Sequence, residues 1–404
     1  MRILILSDSV PNPDGWTGGS QQPFLRLKYL ADKHEFILAY VNWGGEPEPA
    51  AGLSSRFQLI PLPLPYVPPL SVPVHSRSAL YWRLSAWRHA ALGRPYLFHA
   101  RRRPELQAAL AELLPRLHAD VVHPHGLLML YELPSDTRRI LADLPDVHSR
   151  LVRRQMQAQR RRSQRWQLWL EYRKIERIEA QQYGRAHSLL TVSALDQAAV
   201  RRLAPGKPVE MIPNAVDTDF FRPSTLAEAE ATLLFSGTLN YWPNVEALQY
   251  FCAEILPRVR QVLPRVRLQI AGRHPAPEVL ALADNSVTIL SSVPDMRPLL
   301  AQATLSIVPL KNGAGTRLKI LEAWAMQKAV VSTSVGAEGL AGEHLQHLWL
   351  ADDPAAFAAA IVHLIEQPAL RQRLGACGRE LVETHYSLRS AAGQLEKLYE
   401  RIVA

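Results

Sequence analysis

The sequence has 404 residues, more than a single hydrophobic core usually serves, and this length predicts two domains. A hydrophobic content of 48% excludes a disordered chain. The two cysteines, Cys252 and Cys377, are too few for a disulfide framework and fit a reducing compartment, so we expect a cytoplasmic protein. No apolar run approaches the roughly 18 residues of a membrane-spanning helix, which leaves a soluble protein or one bound to a membrane surface.

The net charge of +9 lies in the first half of the chain. Residues 1–205 hold 28 Lys or Arg against 17 Asp or Glu, whereas residues 206–404 hold the other 18 against 20. The first half is therefore expected to face an anionic partner. Nucleic acid is one such partner, but the sequence contains no recognisable nucleic-acid-reading module, and we expect none to bind.

Short apolar, β-branched runs alternate with helical patterns in both halves, which predicts an α/β fold with parallel sheets covered by helices. The predicted strands are Arg2–Ser7, Glu35–Val41, Asp120–His123 and Ser188–Val192, then Val209–Ile212, Thr232–Ser236, Arg267–Ala271, Val287–Leu290, Leu305–Pro309 and Ala329–Thr333. The predicted helices include Val245–Leu263, Thr316–Met326 and Ala355–Leu364. The turn residues Pro205–Pro208 indicate a linker, so the predicted domains are 1–205 and 206–385, followed by a C-terminal helix over 386–404.

Two segments depart from this alternation. Six prolines within residues 61–73 predict an extended, polyproline-like connection. Residues 150–185 hold eleven Lys or Arg and three Glu, and they predict one long helix on which Trp166, Trp169 and Leu170 share a face. That face has two interpretations: an aromatic stripe facing the core beneath a solvated charged surface, or a site for an anionic membrane surface or another acidic ligand.

The clearest candidate site follows the strand that starts at Leu305. Gly313 and Gly315 let the backbone approach a ligand, and the N–H groups that open the next helix point toward it. Arg317 and Lys319 add positive charge at the same helix start, and Glu322 is an acceptor for ribose hydroxyls. Together these residues predict a pyrophosphate site that needs no metal ion.

This region resembles the donor site of glycosyltransferase family 4, whose members have the GT-B fold. The resemblance is carried, in chain order, by Ile212–Asp217, Phe235–Gly237, Ile270–Gly272, Val293–Asp295, Gly313–Met326, Ala329–Thr333 and Gly336–Leu340. It implies two Rossmann-like domains facing across a central cleft, with an N-terminal acceptor side, a C-terminal nucleotide-sugar side and a last helix packing back toward the N-terminal domain. The implied activity is a retaining hexosyl or pentosyl transfer from a UDP- or GDP-sugar to a glycan or lipid-linked acceptor, as in exopolysaccharide or cell-envelope synthesis.

The resemblance also implies roles for individual residues. The expected donor-binding residues are Gly18, Gly19, Gly237, Gly272, Val293, Gly313, Ala314, Gly315, Thr316, Leu318 and Glu322. His125, at the end of the strand near Asp120, matches the histidine that contacts the donor sugar, and with Arg317 and Lys319 it forms the expected catalytic group. His123 is expected to be structural, because no further ligand set completes a zinc site.

The match departs from the family pattern in three places. Ala314 stands where many members have a Glu that reads the sugar, and Pro145 stands where relatives often have His. The run after Gly237 lacks the usual Arg and Lys, and we interpret Arg317 and Lys319 as their replacements. These departures leave the donor sugar open, and Ala314 leaves open a catalytically inactive scaffold.

Carboxylates elsewhere have other predicted roles. Asp217 and Asp219 resemble a metal-binding triplet, but their place at a domain entrance favours a turn. On the acceptor side the candidates are Asp146 and Ser149, with Glu171 further along. No metal, cofactor or general base is assigned.

Overall fold

The structure is a computed structural model that describes residues 1–10, 24–42, 56–62, 104–159, 161–312 and 317–404. The chain forms two compact units. The first holds the described residues up to Ile212 together with Gly393–Ala404, and the second holds Pro213–Ala392. The division falls after Ile212 rather than at residue 205 because Val209–Met211 pairs with a strand of the first unit.

The described part of the first unit is built on parallel strands. They are β1 (Arg2–Ser7), β2 (Glu35–Val41), β3 (Gln58–Leu62), β4 (Val121–Pro124), β5 (Leu141–Leu144), β6 (Ser188–Thr191) and β7 (Val209–Met211). Its helices are α1 (Pro104–Leu117), α2 (Leu127–Glu132), α3 (His148–Ala158), α4 (Arg162–Arg185) and α5 (Ala194–Leu203). The strand orders are β3-β2-β1-β4 and β5-β6-β7, and isolated bridges from Val122 to Ile140 and from His125 to Asp143 join β4 to β5.

The second unit is built on one parallel sheet. Its strands are β8 (Thr232–Ser236), β9 (Arg267–Gly272), β10 (Val287–Ser291), β11 (Leu305–Val308), β12 (Val330–Ser332) and β13 (Trp349–Leu350), in the order β10-β9-β8-β11-β12-β13. Its helices are α6 (Trp242–Tyr250), α7 (Leu256–Val262), α8 (Pro277–Leu280), α9 (Arg297–Gln302), α10 (Leu318–Ala325), α11 (Pro354–Glu366) and α12 (Pro368–His385). A π-helical turn, Phe251–Ile255, joins α6 to α7. The last helix, α13 (Leu388–Val403), begins in the second unit, and its residues from Gly393 onward belong to the first.

Burial explains why the strands read as nearly continuous apolar runs. Ile3–Leu6 in β1 and Leu233–Phe235 in β8 are buried on every side chain, as expected for parallel strands covered on both faces. The predicted α/β class with parallel sheets is confirmed. Three strands were not predicted, namely β3, β5 and β13.

Two helix predictions were wrong in detail. The single helix expected over 150–185 is two helices, α3 and α4, with a break between them. The helix expected over Val245–Leu263 starts earlier and contains the π-helical turn. Of the proline-rich segment, only Pro61 and Leu62 lie in the described residues, at the end of β3. Across the described ranges, no helix is both long enough and apolar enough to cross a bilayer.

Candidate functional site

The predicted donor site of the second unit centres on Lys319, in the first turn of α10. Its Nζ donates a hydrogen bond to Asn244 Oδ1 at 3.1 Å and lies 4.0 Å from the centre of the Phe235 ring. Asn244 in turn donates to the Thr238 carbonyl at 2.8 Å. These contacts hold the ammonium at the carboxyl end of β8, the edge of an open parallel sheet at which ligands bind.

Two glycines make room for this arrangement. Gly237 has φ +150°, and a Cβ on it would lie 2.9 Å from Lys319 Nζ. A Cβ on Gly272, at the end of β9, would lie 1.7 Å from the Gly237 carbonyl oxygen. Only glycine allows these backbones to approach each other and Lys319 so closely. Both predicted donor-site glycines therefore have a physical reason to be glycine.

Electrostatics around α10 favour a bound anion. Burial, together with the nearby charge of Arg317, lowers the pKa of Lys319 to about 7, and Glu322 opposes this shift. Burial raises the pKa of Glu322 to about 7, against the charge of Lys319. Arg317, which is buried, precedes the helix as its N-terminal cap. Two cations thus repel each other at one helix start, and an anion bound there would relieve that repulsion.

Of the other predicted donor residues, some lie within the described part of the chain and others lie outside it. Val293 and Leu318 are partly buried and pack against the apolar cluster around Trp324. Asn312, just before the glycine loop, donates to Glu246 Oε2 at 2.8 Å. Gly313, Ala314, Gly315 and Thr316 lie outside the described residues, as do Gly18 and Gly19.

Asp217 has the turn role predicted for it. Its Oδ1 accepts hydrogen bonds from the backbone N–H groups of Asp219 at 3.1 Å and Phe220 at 3.0 Å. This is the pattern of an Asx turn. Within the ranges that the structure describes, no cluster of three or more His, Cys, Asp or Glu has the arrangement of a metal site.

In the first unit, His125 belongs to a buried polar network at the ends of β4 and β5. Its Nδ1 lies 3.0 Å from Asp143 Oδ2, and both side chains are buried. Burial alone would lower the pKa of His125, but the charge of Asp143 and its hydrogen bond outweigh burial and raise it. Although burial opposes this, the two histidines hold the pKa of Asp143 far below its usual range.

His123 has a different environment in the same network. Its Nδ1 lies 2.6 Å from the hydroxyl of Tyr399, and its Nε2 lies 3.7 Å from Asp143 Oδ2. Burial lowers the pKa of His123, although Asp143 partly offsets the effect. Arg26 is also buried here. Burial lowers the pKa of its guanidinium group, and the charge of Asp143 opposes that shift. His123 is therefore a buried ring between Tyr399 and Asp143, and the structural role expected for it stays a prediction.

The acceptor-side candidates lie at the start of α3. Ser149 is buried, and its backbone N–H donates to Glu179 Oε1 at 3.2 Å. Burial raises the pKa of Glu179 to about 7, although the hydrogen bonds from Ser149 oppose it. Asp146 is partly buried just ahead of this helix, whereas Glu171 forms an ion pair with Lys174 at 3.5 Å on α4. Asp146 and Ser149 are neighbours here, and Glu171 is engaged with its own helix.

Sequence reasoning missed Asn244, Asp143, Tyr399 and Glu179. Asp143 had a signal, because it is the one charged residue in the apolar run Leu141–Leu144. Asn244 also had one, because it opens a helix soon after Gly237. Tyr399 had none, since its contact with His123 spans 276 positions.

The chain resembles known proteins in sequence and in fold. Residues 230–367, which contain Gly237, Lys319 and Glu322, match the family model described as Glycosyl transferases group 1. Sucrose-phosphate synthase from Thermosynechococcus elongatus superposes with a TM-score of 0.71 at 17% identity, covering 100% of this chain and 99% of that one. HepE from Anabaena, in complex with UDP, superposes with a TM-score of 0.68 at 13% identity, covering 99% and 100%.

A curated relative gives a closer but shorter match. An uncharacterized 44.6 kDa protein in the cps region of Klebsiella pneumoniae is 30% identical over 140 residues. The match covers 32% of this chain and 36% of that protein, so it spans about a third of the relative. The chain has the GT-B fold, and residues 230–367 of its second unit match the Glycosyl transferases group 1 model. The predicted resemblance to a GT-B glycosyltransferase family is confirmed, while assignment to family 4 and retention of configuration stay predictions.

Proposed function

We propose that the chain transfers a sugar, with retention, from a nucleoside-diphosphate sugar to a glycan or lipid-linked acceptor. The observation that carries this proposal is the position of Lys319 Nζ, held by Asn244 beside Gly237 at the carboxyl end of β8. A fixed cation there, with Arg317 next to it, suits a diphosphate. The family match of residues 230–367 and the UDP bound to HepE support the same donor class.

The proposed chemistry at this site is charge stabilisation. When the bond between the sugar and the diphosphate breaks, negative charge develops on the leaving oxygen. Lys319 and Arg317 stabilise that charge without reorganising, because Asn244 and burial already fix their positions. We therefore assign no metal to the proposed reaction. Glu322, one turn further along α10, is the proposed acceptor for the ribose hydroxyls.

His125 is the proposed contact to the transferred sugar. Because Nδ1 faces Asp143 at 3.0 Å, Nε2 is the nitrogen left to meet a sugar hydroxyl. The raised pKa of His125 favours a ring that donates from that nitrogen. Asp143 fixes the orientation of the ring, as a buried carboxylate does for a catalytic histidine.

The acceptor belongs to the first unit in this proposal. The excess of positive charge in residues 1–205 favours an anionic glycan or a diphosphate-linked lipid, and Asp146 and Ser149 are the proposed contacts. The cps region named for the Klebsiella pneumoniae relative supports a role in exopolysaccharide or envelope glycan synthesis. A lipid-linked acceptor places the chain at the cytoplasmic face of a membrane, as a peripheral protein.

A donor screen tests the proposal. The purified chain is incubated with UDP-, GDP- and other nucleotide-sugars and an extract of lipid-linked glycans, and the released nucleoside diphosphate is measured. We expect release from one donor class, and an α-linked product from an α-linked donor by NMR. An inverted product would contradict retention. Absence of both nucleotide binding and release would contradict the transferase itself.

A catalytically inactive scaffold is the second candidate, favoured by Ala314 in place of the Glu common in the family. It predicts tight nucleotide binding without release from any donor. Restoring the carboxylate tests it: Ala314→Glu would create donor turnover in an inactive scaffold, whereas in an active enzyme it would change donor preference.

A further inference from the structure

We propose that one exposed stripe of α4 docks the chain on an anionic membrane surface. The stripe, here called the Trp–Arg stripe, consists of Arg162, Arg165, Trp166, Trp169 and Arg173. The inference rests on the proposed function in one respect, namely that a lipid-linked acceptor lies at a membrane. The observations that support it are the spacing, exposure and charge of residues on α4.

Spacing puts these five residues on one side of the helix. Relative to Arg162 they lie at i+3, i+4, i+7 and i+11, the positions that share a face of an α-helix. All five are exposed, with 60% of Trp166 and 46% of Trp169 accessible to solvent. The residues that α4 buries, Ile175, Glu179, Gln182 and Tyr183, all lie in its later turns. The core-facing interpretation of the two tryptophans is therefore wrong.

Two large exposed indoles on adjacent turns call for a function. Leaving such side chains in water forfeits the free energy of burial, and clustered exposed apolar groups mark interaction sites. Tryptophan in particular suits the boundary between lipid headgroups and acyl chains, since its ring is apolar and its N–H is polar.

Charge identifies the partner of the stripe. Residues 147–170 include most of the stripe, and they contain seven arginines and no Asp or Glu. Within the described residues, Arg162 and Arg165 form no ion pair with a carboxylate, whereas Arg150 is paired with Asp196 and Arg173 with Glu176. The start of the stripe therefore carries uncompensated positive charge beside the indoles. Anionic lipid headgroups complement that charge, and a second copy of the same stripe would repel it.

Vesicle co-sedimentation of the full chain tests this inference. We expect binding to mixed phosphatidylglycerol and phosphatidylcholine vesicles that weakens with salt, and much weaker binding to phosphatidylcholine alone. Arg162→Glu with Arg165→Glu is expected to lower the affinity by at least about 25-fold, since each basic residue contributes roughly five-fold. Trp166→Ala with Trp169→Ala is expected to lower it by about tenfold or more.

Matched controls come from the second unit. Trp242 is 52% exposed and Arg265 is exposed, so Trp242→Ala and Arg265→Glu remove the same chemistry elsewhere and should leave vesicle binding unchanged. Equal binding to neutral vesicles, or no difference between the stripe variants and these controls, would overturn the inference. So would a dimer that the tryptophan variant converts to monomer, or DNA binding that replaces vesicle binding.

The two proposals fail separately. Calorimetry with UDP and GDP is run on the same stripe variants, which are expected to bind nucleotide as the parent chain does. If the parent chain binds nucleotide but does not bind anionic vesicles, only the docking surface is contradicted. Vesicle binding without any nucleotide binding would contradict the proposed function alone.

Discussion

The ammonium of Lys319 lies 3.1 Å from the side-chain oxygen of Asn244, a residue 75 positions earlier in the chain. Many relatives place an Arg and a Lys after the glycine that follows β8, whereas the run after Gly237 here has neither. The cation beside Gly237 is Lys319, at the start of α10, and the side-chain amide of Asn244 on α6 holds it there. The replacement was a prediction from sequence, and the geometry supplies a physical basis for it.

The first prediction concerns Asn244 itself. Asn244→Ala removes the acceptor that orients Lys319, and we expect nucleoside diphosphate affinity to fall roughly 2- to 10-fold. Asn244→Asp should weaken binding further, because the new carboxylate competes with the diphosphate for Lys319. Calorimetry with UDP and GDP measures both effects. Asn244→Asp binding as tightly as the parent would show that Lys319 does not meet the diphosphate.

A second prediction concerns protons. Lys319 has a pKa of about 7, so most of its population is neutral at pH 8 in the free protein. A bound diphosphate favours the charged form, so binding at pH 8 should take up protons, and affinity should fall as the pH rises through about 7. Calorimetry in two buffers of different ionisation enthalpy measures this uptake. Lys319→Ala should reduce it, and equal uptake in that variant would assign the proton to another group.

A third prediction separates two acid–base pairs by burial. Asp143 is buried with His125 and Arg26, so Asp143→Asn should destabilise the fold by roughly 3–5 kcal/mol, as breaking a buried ion pair does. Asp295 pairs with Arg297 at 2.8 Å at a much more exposed site, and Asp295→Asn should change stability far less. Urea unfolding measures both, and similar changes would contradict the buried network. In an active chain, Asp143→Asn should also lower the pKa of His125, which the pH dependence of the transfer rate would report.

Glu179 gives a fourth prediction, with an unusual sign. Burial raises its pKa from 4.5 to about 7, so between these pH values the folded chain holds a proton that the unfolded chain has lost. Stability therefore falls as pH rises through this window. Glu179→Gln keeps an acceptor for Ser149 without the charge, and its unfolding free energy should gain up to roughly 3 kcal/mol relative to the parent between pH 5 and 8.

Glu171→Gln on the same helix is the control for Glu179, because Glu171 is less buried and already paired. Its unfolding free energy should follow that of the parent at both pH values. A parallel pH dependence in the parent and Glu179→Gln would mean that Glu179 is ionised throughout.

Sequence patterns predicted the sheets well, because parallel strands buried on both faces leave long apolar runs. β1, β2 and β8 begin and end where they were predicted. The break between α3 and α4 gave no such signal, since no Gly or Pro lies between residues 158 and 162. The boundary at Pro205–Pro208 was misplaced because β7, which follows it, pairs with β6 of the first unit.

The candidate site, like the fold, could be predicted from the sequence only in part. Residues close in sequence, such as Arg317, Lys319 and Glu322, could be grouped from helical spacing alone. Contacts between distant segments could not, and Asn244 with Lys319 and Tyr399 with His123 are of that kind. Glu179 shows a third limit: in an arginine-rich helix a glutamate suggests a surface ion pair, and only the fold places it in the interior.

The most direct test of the central claim is calorimetry with UDP and GDP on the parent chain, Lys319→Ala and Lys397→Ala. Lys397 is an exposed lysine of the first unit and serves as the control. We expect one nucleotide to bind the parent and the control equally, and Lys319→Ala to bind about 10- to 150-fold more weakly, the loss of a charge-assisted hydrogen bond. Lys319→Ala binding as tightly as the parent, or a parent that binds no nucleoside diphosphate, would contradict the account.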